Sequence, residues 1–194
     1  MGVTQAPPSP PSATARWQWS LAGVAALGLG VAAALAAYAD AHPGDGAWLL
    51  TLWFTGMLQL KAWFTTAALV LVVVQVLSAL AMWGRLPGVR GGAPGWVALL
   101  HRWSGVVAFL LTLPVAFQCV WSLGFEDEPS RVLVHSVAGC LFYGAFAAKM
   151  LALRLPRLPS VVVPLLGATV ATLLVVVWFT SALWFFTQPG LPRV

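Results

Sequence analysis

Three histidines carry the clearest metal- or proton-handling chemistry in this sequence: His42, His101 and His135. Two of them open the same local pattern, His101-Arg-Trp-Ser-Gly105 and His135-Ser-Val-Ala-Gly139. On a helix, a glycine four residues after a histidine lies on the same face, one turn along. It removes the side chain that would collide with a flat macrocycle held by the imidazole, which is the shape a haem-binding helix needs. The two cysteines, Cys119 and Cys140, lie inside apolar runs and report neither a disulfide framework nor a cysteine-based metal site. No Walker loop, zincin helix or nucleophile elbow is present.

The elements that must position these residues are membrane spans. The chain is 60% hydrophobic and 8% charged, where a soluble domain carries about 25% charged residues. A soluble fold of this length would have to expose the excess apolar surface, so soluble, disordered and coiled-coil classes are excluded. The expected fold is all-α: a polytopic bundle of five transmembrane helices plus a short interfacial or re-entrant helix. Residues 1–15 hold four prolines and read as a disordered tail. Residues 16–187 form one transmembrane domain, and 188–194 a short external tail.

Apolar runs place spans at about 17–39, 62–83, 96–122, 130–153 and 161–186. The first is spaced for close helix contact at Gly23, Ala26 and Gly30. It ends Ala37-Tyr38-Ala39, a pattern a signal peptidase accepts, but its long apolar run reads as a retained span. The block from Ala47 to Trp83 is too long for one crossing. Split at Lys61, it yields an interfacial segment at 48–60, with Thr51, Thr55 and Gln59 along one side. Most tryptophans cluster at span ends, as an interfacial belt requires.

The loop charges alternate. Arg16, Arg85, Arg90, Arg102, Arg154 and Arg157 fall at one end of the bundle; Asp40, Asp45, Glu126, Asp127 and Glu128 fall at the other. Since Lys and Arg mark the cytoplasmic side, the expected topology is N-terminus inside and C-terminus outside, in a bacterial cytoplasmic membrane.

Depth then separates the histidines. With spans three and four antiparallel, His101 levels with Lys149 and His135 with about Val115. The two imidazoles lie about 14 residues apart along the axis, roughly 21 Å, too far to share one iron. Two sites fit better. The outer one gathers His135, His42, Lys61, Thr65 and Thr66, with 48–60 as a lid; His42 and His135 are its expected metal ligands, as axial ligands of one haem. The inner one gathers His101, Gln75, Ser78 and Lys149 beside Gly105. The plainer readings stay open: His42 as a turn residue before Pro43, His135 as a packing or hydrogen-bonding residue, Lys149 as a snorkelling cation. The stripe Phe142, Phe146 and Lys149 suits either an electron path or helix packing.

The stretches Gly56-Met-Leu-Gln-Leu-Lys-Ala-Trp63, His101-Arg-Trp-Ser-Gly105 and His135-Ser-Val-Ala-Gly-Cys-Leu-Phe-Tyr-Gly-Ala-Phe-Ala-Ala-Lys-Met150 resemble a family of bacterial five-span membrane proteins of unknown function. The resemblance covers roughly residues 17–186 and implies the fold. A looser similarity is to b-type membrane cytochromes of the ferric-reductase and ascorbate-reducible kinds, limited to the two histidine–glycine pairs. It implies haem b, with His135, His42, Gly139, His101 and Gly105 as cofactor-binding candidates; the fourth histidine such proteins use is missing here. The expected function is a redox subunit that binds haem near the outer leaflet and relays electrons to a quinone or partner protein. It would be an electron carrier without its own substrate chemistry. A cofactor-free structural or assembly subunit is the alternative, and a small transporter the third.

The charge pattern makes a direct prediction. A reporter fused after Gly91 stays in the cytoplasm and one after Asp127 is exported, as assayed with a phosphatase active only outside. The reverse result would overturn the depth argument.

Overall fold

The computed structural model describes residues 13–46, 50–87, 93–155 and 158–190. Five helices are long and apolar enough to cross a membrane, and no strand occurs among the described residues. They are α1 (Ala13–Ala41), α2 (Met57–Met82), α3 (Gly95–Gln118), α4 (Ser130–Ala152) and α5 (Val162–Trp178). Two of them lose regularity at the same end of the bundle. α3 runs into a π-helical turn, Cys119–Leu123, and α5 into another, Phe179–Leu183, before a last turn, α6 (Trp184–Thr187).

The boundaries have local causes. α2 starts after Gly56, whose extended backbone (φ −167°) cannot belong to a helix. It stops at Gly84 (φ +63°), where the Gly84 and Arg85 N–H groups fold back to the Ala81 and Leu80 carbonyls at 3.0 and 2.8 Å. That is a left-handed glycine cap. α4 and α5 follow Pro129 and Pro159, whose carbonyls accept the N–H groups of Val132 and Val162.

The expected interfacial helix at 48–60 is replaced by turns. Residues 50–56 are non-helical, Met57–Leu60 form the first turn of α2, and residues 47–49 lie outside the described set. The segment is tied down by side chains instead. Gln118 donates to the Leu50 carbonyl, and Gln59 donates to the Thr55 hydroxyl at 3.0 Å. Lys61 marks no boundary; it sits in the second turn of α2 with its side chain buried. Of the expected 1–15 tail, residues 13–15 belong to α1 and the rest lie outside the described set.

Between helices, α1 packs on α4, α4 on α5, α5 on α2 and α2 on α3, and the π turn of α3 returns to α1. The bundle is a ring in which α3 and α4 meet through side chains. Phe109 stacks on Phe146 with ring centroids 3.9 Å apart, and Tyr143 donates its hydroxyl proton to the Thr112 carbonyl at 2.9 Å.

The tightest helix contact is α1 on α4. A Cβ built on Gly144 would lie 2.3 Å from the Gly28 carbonyl oxygen and 3.0 Å from Ala32 Cβ. One built on Gly28 would lie 3.0 Å from Ala148 Cβ. Each helix therefore presents a small residue every fourth position to the other, which lets backbones touch where no hydrophobic effect drives association. This corrects the expected contact face. Gly23, Ala26 and Gly30 are exposed, and Val24, Gly28 and Ala32 are buried. α1 is small and apolar on every side, so composition leaves its rotational phase open.

Gly144→Val should therefore lower stability by about 1–3 kcal/mol, the usual cost of overpacking. Gly139→Ala, where an added Cβ meets nothing within 4 Å, should stay within about 0.5 kcal/mol of wild type. Unfolding in detergent, followed by near-UV circular dichroism, checks both. Equal losses would mean that the α1–α4 contact does not hold the bundle.

Candidate functional site

The gap between α3 and α4 widens into a cavity of about 240 Å³ at the end that carries the acidic loops. Its wall is mostly apolar. The chemistry comes from Lys61 and Thr65 of α2, Cys119 of the first π turn, His135 and Gly139 of α4, and Thr180 of the second π turn. Tyr143 closes the floor, and Glu126 and Arg131 lie along the wall near the loop.

His135 is oriented from behind. Its Nδ1 lies 3.1 Å from the Thr180 hydroxyl oxygen. That hydroxyl has one proton, directed to the Val176 carbonyl at 2.8 Å. The imidazole Nδ1–H must then be the donor to Thr180, which leaves Nε2 as a lone pair. Nε2 faces the sulfur of Cys119 at 4.0 Å. Arg131 donates to the Thr180 carbonyl and lies over the Trp184 ring at 4.3 Å, which fixes the same π turn from outside.

Lys61 acts electrostatically on the same thiol. Its side chain is only 8% exposed, on a helix apolar enough to span a membrane. A lysine on such a helix is costly to bury, and Lys61, in the second turn of α2, keeps its side chain inside the bundle, which makes it a functional-site candidate.

Of the residues expected at the outer site, His135, Lys61, Thr65 and Gly139 line one cavity. His42 does not line it. It is exposed, its Nδ1 pairs with the Tyr38 carbonyl at 2.8 Å, and its ring stacks on Tyr38 at 4.2 Å. The adjoining turn is pressed elsewhere: a Cβ on Gly44 would lie 2.1 Å from the Ser122 carbonyl oxygen. Thr66 turns away to accept the Trp178 indole N–H at 2.9 Å. None of residues 50–56 lines the cavity; of the described part of the expected 48–60 lid, Leu58 and no other residue does, from the first turn of α2.

The expected inner cluster is present at the opposite end. Ser78 Oγ donates to the Val74 carbonyl and pairs with His101 Nδ1 at 2.9 Å. Gln75 donates to Ser104 Oγ at 2.7 Å and to the His101 carbonyl, and Lys149 bears on the imidazole electrostatically. Gly105 leaves room for an amide rather than a macrocycle. A Cβ there would sit 3.0 Å from Gln75 Oε1.

Cys119 and Thr180 were not among the expected site residues. Cys119 lies on the same α3 face as Gly105, Thr112 and Val115, a stripe legible in the sequence. Thr180 had no signal of its own, because its role comes from a π turn that hydropathy does not reveal.

No curated protein and no solved structure matches the chain. A family model does match, over residues 21–193, and this protein accordingly belongs to a family of unknown function, DUF6529.

Proposed function

We propose that this chain is a redox subunit of a bacterial cytoplasmic membrane, N-terminus inside, that binds a lipid-soluble quinone ring in the His135 cavity. The observation that carries the reading is a small apolar cavity with a buried ammonium, Lys61, and an oriented imidazole, His135, on its wall. An apolar cavity of about 150 Å³ holds one benzene ring, so one of about 240 Å³ takes a single substituted ring system. A quinone brings an apolar ring and carbonyl oxygens that accept hydrogen bonds. Lys61 supplies a donor to one such oxygen, and its charge favours the reduced, anionic forms of the ring. The subunit then exchanges electrons with a partner protein through the bound ring.

Haem b on His135 is the second reading. It is favoured by the fixed Nδ1–H, the usual support of a ligating imidazole, and by the open space beside Gly139. The residues fit it less well than a quinone. The cavity, sized for a single ring system, is too small for a four-ring macrocycle, the Cys119 sulfur stands before Nε2, and His42 is engaged outside. A haem there would supply one-electron chemistry, with His135 as its ligand on this chain.

The two readings, and the cofactor-free structural subunit, separate in one preparation. Purified protein should show no Soret band and should co-extract quinone in near-stoichiometric amount. In a titration with 2,3-dimethyl-1,4-naphthoquinone, Lys61→Met should weaken binding by about tenfold, the loss of one good hydrogen bond or roughly 1.4 kcal/mol. Gly139→Leu, which fills the cavity, should abolish binding while leaving insertion intact. A Soret band lost in His135→Ala would favour haem, and neither chromophore nor binding would leave the structural subunit.

A further inference from the structure

We infer that Cys119 is a nucleophile that adds covalently to the ring held in this cavity, with His135 as its base and Lys61 opposite the oxygen that becomes anionic. The inference rests on the quinone reading above and adds a chemical step to it. Its ground is an arrangement of three groups from three helices. Thr180 orients the imidazole, the imidazole presents a lone pair, and the lone pair faces a thiol. Nucleophile, base and orienting group in that sequence are the working parts of activated thiols on unrelated folds. A sulfur–nitrogen separation of 4.0 Å is long for proton transfer, and such contacts are commonly loose before substrate binds and tighten when it does.

Three further observations bear on the same point. The thiol and the group that orients its base both sit on π-helical turns, Cys119–Leu123 and Phe179–Leu183, at one end of the bundle. Such turns are rare and concentrate at functional sites. Lys61, nine-tenths buried, bears on the sulfur and lines the cavity, so a positive charge stands where negative charge would develop. Finally, the rest of the wall is apolar, which selects an uncharged electrophile of membrane solubility. Quinones with an unsubstituted ring carbon are of that class.

The step balances without any further reactant. The Cys119 Sγ–H proton passes to His135 Nε2 as sulfur bonds to the open ring carbon. The displaced π pair moves to the conjugated carbonyl oxygen, which becomes an oxyanion facing the Lys61 ammonium. The imidazolium returns its proton to that oxygen, and the ring C–H proton shifts to the second oxygen. The product is a thioether-linked hydroquinone: the ring has gained two electrons and sulfur has supplied them.

The test uses the full chain in detergent micelles and two probes, menadione, with one open ring carbon, and 2,3-dimethyl-1,4-naphthoquinone, with none. Intact-mass and peptide mass spectrometry should find one menadione per chain, on Cys119 and not on Cys140, which shares the cavity wall. The dimethyl compound should leave no adduct and should protect Cys119 from menadione. His135→Ala should slow the addition about a hundredfold, the low end of general-base contributions, and Lys61→Met about tenfold. Since a variant that folds poorly would also react slowly, wild-type Cys119 and Cys140 are compared in parallel for their rates with N-ethylmaleimide, where Cys119 should be at least tenfold faster. Equal rates at the two cysteines would sink the proposal. So would reversible binding of the dimethyl compound with no menadione adduct, though the quinone reading would then stand. Failure of both probes to bind would remove both.

Discussion

Everything at the acidic end of this bundle is organised around polar groups that hydrocarbon will not solvate. Lys61 is the extreme case, an ammonium in the second turn of an apolar helix. Around it the polar atoms of four helices satisfy one another: Thr65 donates to the Lys61 carbonyl at 2.7 Å, and His135 is held by Thr180 and faces Cys119. In water each of these contacts would be nearly neutral in free energy, because water competes for both partners. In an apolar bundle they are the available solvent, so their mutual geometry is fixed.

A ring of five helices leaves such a pocket because of where the small residues are. α4 turns Gly144 and Ala148 to α1, and α3 gives Gly105 to the Gln75 amide of α2. The faces that α3 and α4 turn to each other carry Phe109, Phe146 and Tyr143, which hold the helices apart while sealing the midsection. Towards the acidic end the α3 face shrinks to Thr112, Val115 and Cys119, and the same separation becomes a cavity.

Much of this was legible in the sequence. Hydropathy alone located five helices long and apolar enough to cross a membrane, since about 20 apolar residues per crossing is a strong constraint. The depth argument separated His101 from His135 and assembled both neighbourhoods nearly correctly: Gln75 and Ser78 do meet His101, and Lys61 and Thr65 do share a cavity with His135. Depth is a one-dimensional quantity, and a helix converts residue number to depth at a fixed rise. What failed required the other two dimensions. The contact face of α1 was placed on Gly23, Ala26 and Gly30, nearly opposite the buried Val24, Gly28 and Ala32, because a helix of mostly Ala, Gly, Val and Leu has no polar side to set its phase. Thr66 was assigned to the site by depth and points to Trp178 instead. His42 was paired with His135 because both lie near the same surface, yet a Tyr38 ring and carbonyl already engage it.

The aromatic floor has a consequence for any redox role. The two polar clusters lie at opposite ends of one bundle, and Tyr143, Phe146 and Phe109 fill the midsection between them. Tyr143 gives its hydroxyl proton to a backbone carbonyl, and the phenylalanines carry none to exchange. Among the described residues, these three rings therefore form no hydrogen-bonding relay along which protons could pass from His135 to His101. Electrons need no such relay, and a stacked ring pair at 3.9 Å shortens the through-space gaps they would cross. In the redox role proposed above, protons taken up or released at His135 would exchange through the loop end, past Glu126 and Arg131, which line the same cavity. A subunit of that proposed kind would move charge across the bilayer as electrons, and the partner proposed to complete the circuit would dock at the acidic face or supply its own proton path.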